Sequence, residues 1–375
     1  MIESHPELGA LSRLENPLSW TNEKSAVLLN ACRELCAFHE ANSPTIAHLY
    51  RRHKFSPASL ETEKDLERIP LLGVSAMKQF LVISRPESEA VLKLTSSGTK
   101  GQKTQIWFDA QSLERVQRML RNVWREEKLV SETPTNYLMF IYDASQAKDL
   151  GTAFTRKNQQ QFAPPKNTHY AIRQNAAGDW EFNKEAVWSA LQSYVEQGDP
   201  VRLCGIPGFV NEFLDWIPEG KSLSLPAGSY VITGGGWKTS EDKRIPKPVF
   251  RQKLADKLGL VEANIRDGFG MAEHSAPCVE CDHHRFHVPA YSRFIVRNPA
   301  NNQSCRPGEV GLLSLLTAYN TMMPNVALMS TDVGYIEDSP CPCGKNSPTF
   351  MPVGRGGLTK HKGCALTAAE IVKRV

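Results

Sequence analysis

Apolar positions recur at helical spacing through the first part of the chain. From Ala26-Val27-Leu28-Leu29 to Phe38 they fall on one face of a helix, and Pro44 opens a second, short helix carrying Ile46 and Leu49. Cys32 and Cys36, one turn apart on that first face, read as core residues. The run Ala90-Val91-Leu92-Lys93-Leu94 is strand-like. Ser112 to Leu129 is an amphipathic helix with Leu113, Val116, Met119, Leu120 and Val123 on one side. Asn136–Tyr142 is a short apolar strand, whereas residues 144–185, polar and carrying Pro164-Pro165, read as loops and an insertion. Glu185–Gln197 is helical again. Strand and helix then alternate: a strand Val201–Ile206, a helix to Trp216, and a buried strand Tyr230–Thr233 that ends in Gly234-Gly235-Gly236-Trp237. Such alternation implies an α/β fold with a largely parallel sheet, whose ligands bind beyond the carboxyl ends of the strands. Residues 285–339 are richer in short strands and turns and suggest a small β subdomain.

The bulk properties narrow the classes. The chain has 375 residues, 41% of them hydrophobic and 22% charged, as expected of a globular protein of roughly two domains. A net charge of +4, spread evenly, lacks the concentrated basic stripe of a nucleic-acid binder. No apolar run approaches the ~20 residues of a membrane span, and the start Met1-Ile2-Glu3-Ser4-His5-Pro6-Glu7 has no signal-peptide pattern. Nine cysteines without an export signal point to the reducing cytoplasm and to metal or catalytic thiols.

Several segments offer chemistry. Thr95-Ser96-Ser97-Gly98-Thr99-Lys100-Gly101-Gln102-Lys103-Thr104 collects hydroxyls, glycines and two lysines after a strand, a composition suited to cradling phosphate, although the spacing is not that of a Walker A loop. The glycines Gly234, Gly235 and Gly236 would let a ligand lie against the backbone. Asp267-Gly268-Phe269-Gly270-Met271-Ala272-Glu273-His274 holds two carboxylates and an imidazole, and Glu273 could ligate magnesium. Asp332 stands in what reads as a strand-ending turn, where it could accept hydrogen bonds from a ribose diol, and Arg355 carries a fixed charge among glycines. Cys278-Val279-Glu280-Cys281, His287 and Cys341-Pro342-Cys343-Gly344 together suit a tetrahedral zinc site. Its knuckle would supply Cys341 and Cys343, and the other two ligands would be Cys281 with His287, or Cys278 with Cys281. Cys364 follows Lys360-His361-Lys362-Gly363, and cations beside a thiol favour the nucleophilic thiolate.

The order of these motifs resembles that of acyl-adenylate-forming enzymes over about residues 90 to 365. Ser96-Ser97-Gly98-Thr99-Lys100-Gly101, Ile232-Thr233-Gly234-Gly235-Gly236-Trp237-Lys238-Thr239 and Lys362-Gly363-Cys364-Ala365-Leu366 are most similar to the acyl-protein synthetases of the LuxE family. The resemblance implies mixed sheets flanked by helices, like the N-terminal domain of adenylate-forming enzymes, without a full C-terminal domain. It divides the chain into a helical region (1–85), an adenylating core (86–284), a small β subdomain with the zinc knuckle (285–353) and a tail bearing Cys364 (354–375). It implies activation of a carboxylic acid, of the fatty class in this family, with ATP and Mg2+, then transfer to Cys364 and on to an acyl reductase partner. Ser96, Ser97, Gly98, Thr99 and Lys100 would hold the phosphates, Gly234, Gly235 and Gly236 would border adenine and carboxylate, Glu273 would bind magnesium, Asp332 the ribose and Arg355 the nucleotide. Phenylacetate-CoA-ligase-like relatives favour the Cys281–His287 choice for a structural Zn2+. Two positions depart from the superfamily: Ala272 replaces a usual threonine and Leu358 a usual hinge aspartate. The competing readings are a phenylacetate-CoA-ligase-like enzyme using free coenzyme A and a non-catalytic zinc-containing binding module.

Overall fold

A computed structural model describes residues 3–95, 105–143, 145–146, 162–275 and 278–356. Ser96, Ser97, Gly98, Thr99 and Lys100, expected to cradle phosphate, as well as Leu358 and Cys364, lie outside the described residues. By internal contacts the chain forms two compact units. One takes the residues up to Glu126, Met271–Cys278 and the segment from Arg285 onward; the other takes Glu127–Gly270 and Val279–His284.

In the first unit, the helix Asn22–Asn42 starts where Thr21 accepts a hydrogen bond from Lys24 N, and it buries Leu28, Leu29, Cys32, Leu35, Cys36 and His39. The periodicity that marks this helix also places Cys32 and Cys36 in the core. Pro44 begins the helix Pro44–Arg52, as its fixed φ and missing N–H allow. The helix Ala110–Glu126 is capped by Asp109, whose Oδ1 accepts from Ser112 N at 2.9 Å. It buries Val116, Met119 and Val123 from its expected face, together with Arg115 and Trp124.

The strands of this unit are β1 (Leu72–Gly73), the hairpin β2 (Leu92–Thr95) with β3 (Gln105–Phe108), β11 (Phe286–His287), β12 (Ser292–Arg297), β13 (Gly311–Thr317), β14 (Ala327–Ile336) and β15 (Thr349–Arg355). Six of them make one sheet in the order β11-β15-β14-β13-β12, with β1 parallel to β14. β13 is buried along its whole length, which explains its nearly unbroken apolar sequence Gly-Leu-Leu-Ser-Leu-Leu-Thr. This sheet has longer strands than the turn-rich sequence suggests, and its β1 comes from a stretch whose pattern is helical. A two-residue strand is too short to show a period of two.

The second unit carries a seven-stranded sheet in the order β10-β9-β8-β7-β4-β5-β6. Its strands are β4 (Thr135–Tyr142), β5 (Pro165–Gln174), β6 (Trp180–Phe182), β7 (Val201–Gly205), β8 (Tyr230–Gly234), β9 (Ile265–Phe269) and β10 (Cys278–Val279). β5, β4, β7, β8 and β9 run parallel, and β6 closes one side antiparallel to β5. One face presents Leu138 and Phe140, Val201 and Leu203, Val231 and Ile265 to a core completed by the helices Lys184–Gln197, Pro207–Trp216 and Lys247–Leu258. β5 and β6 correct the reading of residues 144–185 as loops. Pro165 is the first residue of its strand, where a missing N–H is tolerated, and β5 is exposed at both ends with only Tyr170, Ala171 and Ile172 buried between them. So short a buried run, and a β6 of three residues, carry little strand signal.

Candidate active site and metal centre

The parallel strands of the second unit deliver glycines at their carboxyl ends. Gly234 ends β8 and is paired in register with Gly268 of β9. A Cβ on Gly234 would come within 3.1 Å of the Gly268 carbonyl oxygen, so a side chain at Gly234 would crowd the end of β9. Gly235 and Gly236 follow with φ of 79° and 70°, the left-handed region that glycine enters without strain, and both are exposed. The backbone beyond β8 is therefore open to a ligand.

The middle of β9 adds a charged cluster. Lys247 Nζ lies 2.7 Å from Asp267 Oδ2 and 3.0 Å from Glu280 Oε1. Asp267 N donates to Glu280 Oε2 at 3.0 Å, and Arg266 donates to the Glu280 carbonyl at 2.8 Å. Burial pulls the Lys247 pKa down, but the two carboxylates outweigh it and hold the ammonium above its ordinary value. Asp267 stood out in the sequence; Lys247 did not. The one available signal was a lysine in the first turn of a helix that has no acid there, against the helix dipole.

In the first unit, Glu273 is buried, and its carbonyl accepts from Asn325 Nδ2 at 2.7 Å, an amide that also donates to Tyr319 Oη. His274 beside it is buried edge-on to Phe294, and burial lowers its pKa to about 3, which keeps the ring neutral. Asp332 lies inside β14 rather than in a strand-ending turn. β14 continues to Ile336 through a register shift at Val333/Gly334, and this irregularity carries the turn-like residues. Asp332 N donates to Ser330 Oγ at 3.0 Å, and Asp332 is the register partner of Arg355 across β14 and β15. The two residues, 23 apart in sequence by number, are thus cross-strand neighbours.

Four potential metal ligands converge. One ligand atom from each of Cys281, His287, Cys341 and Cys343 lies within 4.8 Å of the others, and Cys343 Sγ is 3.2 Å from His287 Nε2. His287 Nδ1 is 2.8 Å from Ser347 Oγ, which orients the ring so that Nε2 faces the thiols. Burial pushes the Cys343 thiol up, as does the neighbouring Cys341. Of the two ligand choices left open by spacing, the geometry gathers Cys281 with His287; Cys278 is buried in β10 and is not in this cluster. Sequence reasoning missed Ser347, because a serine that orients a ligand has no motif of its own.

The family model for the acyl-protein synthetase LuxE matches residues 2–372. The chain belongs to the LuxE family of acyl-protein synthetases. It is therefore an enzyme of the ligase type. Among curated relatives, a long-chain-fatty-acid–luciferin-component ligase of Aliivibrio fischeri is 25% identical over 390 residues, covering 100% of this chain and 96% of the relative. A ligase of the same name from Vibrio harveyi is 24% identical over 376 residues, covering 98% and 94%. Among solved structures, 2-hydroxyisobutyryl-CoA ligase in an open conformation with 2-HIB-AMP and CoA superposes with a TM-score of 0.68 at 14% identity, covering 92% of this chain and 80% of that one. The same ligase in its postadenylation state gives 0.66 at 15% identity, covering 94% and 75%. The family member thus has the fold of adenylate-forming ligases. Among the described residues, no helix is long and apolar enough to cross a membrane.

Proposed function

We propose that this family member activates a carboxylic acid, of the fatty class named for its curated relatives, as an acyl-adenylate and then transfers the acyl group to Cys364. A carboxylate oxygen attacks the α-phosphorus of ATP; the bond to the bridging oxygen breaks and pyrophosphate leaves. The Cys364 thiolate then attacks the acyl carbon, a thioester forms and AMP departs with the former carboxylate oxygen. An acyl reductase would be the partner that takes the thioester onward. The observation that carries the reading is the bare glycine end of β8, Gly234-Gly235-Gly236, at the carboxyl end of a parallel sheet in a LuxE-family chain.

The roles follow from residue chemistry. Ser96, Ser97, Gly98, Thr99 and Lys100 would cradle the phosphates, where N–H groups and an ammonium stabilise charge that grows during displacement. Gly234, Gly235 and Gly236 would border adenine and the acid. Glu273 would ligate Mg2+, which supplies charge neutralisation on the phosphates; Asp332 would hold the ribose hydroxyls and Arg355 the nucleotide. Cys281, His287, Cys341 and Cys343 would hold a structural Zn2+, which their three sulfurs and one nitrogen suit.

Acid-dependent exchange of pyrophosphate into ATP tests the first half-reaction. The wild-type enzyme is expected to exchange with one or more members of a panel of carboxylic acids. Glu273→Ala and Lys100→Ala should each lower the rate by about tenfold or more, about 1.4 kcal/mol of transition-state stabilisation. Undiminished exchange in both variants would remove those roles.

A further inference from the structure

The ion cluster around Asp267, the middle residue of β9, lies beside the two strand ends that the proposed adenylation site uses. Asp267 is the register partner of Thr233, and the residues that follow each of them, Gly268 and Gly234, are partners in turn. One Asp267 oxygen meets Lys247 Nζ at 2.7 Å. The other accepts from Gly268 N at 3.0 Å and lies 3.4 Å from the Thr233 hydroxyl. Glu280 backs the arrangement by accepting Asp267 N and Lys247 Nζ, both at 3.0 Å.

Stability alone does not explain this construction. Glu280 is buried, Asp267 is partly so, and the Lys247 ammonium stands between the two carboxylates and offsets their repulsion. An apolar trio of similar volume would often be equally stable. The cation also sits as the first residue of the helix Lys247–Leu258, behind Pro246, where the helix dipole disfavours positive charge. What the trio does provide is direction: a carboxylate fixed at both oxygens, within one residue of the Gly234/Gly268 pair. Apart from Asp267, these residues lie outside the motifs that mark the reaction.

We infer that Lys247 is a positioning residue for adenylation, whose ammonium fixes the Asp267 carboxylate and through it the mutual placement of the carboxyl ends of β8 and β9. This rests on the reading of Gly234-Gly235-Gly236 as the substrate-bordering segment. Lys247 touches no reacting atom; it acts through Asp267 and the backbone.

The test uses the full chain and pyrophosphate exchange, with melting temperature measured beside it. In Lys247→Met the KM for ATP should rise by about tenfold, as for a site whose binding geometry has slackened. Because Lys247→Met leaves the Asp267 and Glu280 carboxylates without the ammonium between them, a second variant, Lys247→Met with Glu280→Gln, removes one of those charges and should melt closer to wild type. Its KM should stay raised, since Asp267 still lacks its ammonium. A purely structural role would instead lower the melting temperature and the active fraction, leave KM alone, and be relieved in the double variant. Unchanged KM in Lys247→Met, or KM restored together with stability in the double variant, overturns the inference while wild-type exchange leaves the adenylation reading standing. Wild type without exchange for any acid overturns both.

Discussion

Asp109 shows how one side chain can set a helix and a loop together. Its Oδ1 accepts Ser112 N at 2.9 Å as an N-cap, and its Oδ2 accepts Ser112 Oγ at 2.8 Å and Thr321 Oγ1 at 2.6 Å. Burial pushes its pKa up, but the Thr321 and Ser112 donors, with Arg85 nearby, outweigh burial and hold it below the ordinary carboxylate value. A carboxyl depressed in the folded state contributes stability above its unfolded pKa, near 3.9, and that contribution is lost as pH falls through the folded value. Asp109→Ala should therefore cost about 1–2 kcal/mol at pH 7, the combined range of a lost cap and unpaired buried donors. Urea titrations of both proteins at pH 7 and near pH 3 check this: the gap should narrow at the lower pH. A gap that stays constant or widens there would assign Asp109 a role independent of its charge. The cap's neighbours in sequence, Ala110 and Gln111, give no hint of Thr321, 212 positions away, so this contact was not legible beforehand.

At the scale of elements, legibility followed periodicity. The helix Asn22–Asn42 and the strands β4, β7 and β8 have apolar patterns that match their burial, and each was readable within a few residues. β5 and β6 were not, because β5 buries only Tyr170, Ala171 and Ile172 of its ten residues and β6 has three residues, too few to show a period of two. The metal centre divides the same way. The Cys-Pro-Cys knuckle and Cys281 were visible from residue type and spacing, but spacing left His287 and Cys278 equivalent. β11 and β15 decide between them, since their pairing of His287 with Thr349 places the imidazole two residues from Ser347 in register. If the four side chains hold zinc, purified protein should contain about one zinc per chain. Cys341→Ser with Cys343→Ser should release it and lower the melting temperature, because metal affinity adds directly to folding free energy. Cys278→Ser should keep the zinc. Elemental analysis of protein made in zinc-replete medium decides, and zinc-free wild type would exclude the site.

For the whole molecule, the α/β class was legible because alternating strands and helices are imposed by the geometry of a parallel sheet, whereas the adenylate-forming architecture was implied by the resemblance of the motif series. Met271–Cys278 and Val279–His284 belong to different compact units although they adjoin in sequence. The chemistry we propose also has two parts, and they should be separable. Adenylation needs the acid, ATP and the phosphate-binding groups; acyl transfer needs in addition a thiolate at Cys364, which Lys360, His361 and Lys362 favour electrostatically. With radiolabelled fatty acid and ATP, the protein should become labelled, and neutral hydroxylamine should remove the label as it does from a thioester. Cys364→Ala should abolish labelling and leave pyrophosphate exchange near wild type, because the adenylate forms before the thiol acts. Cys364→Ser should label more slowly, through an ester that resists hydroxylamine, as a hydroxyl is the weaker nucleophile at neutral pH. Normal labelling of Cys364→Ala would move the acceptor elsewhere in the chain. Label appearing on free coenzyme A, and never on protein, would make the enzyme a coenzyme A ligase, with the same first half-reaction and a different acceptor.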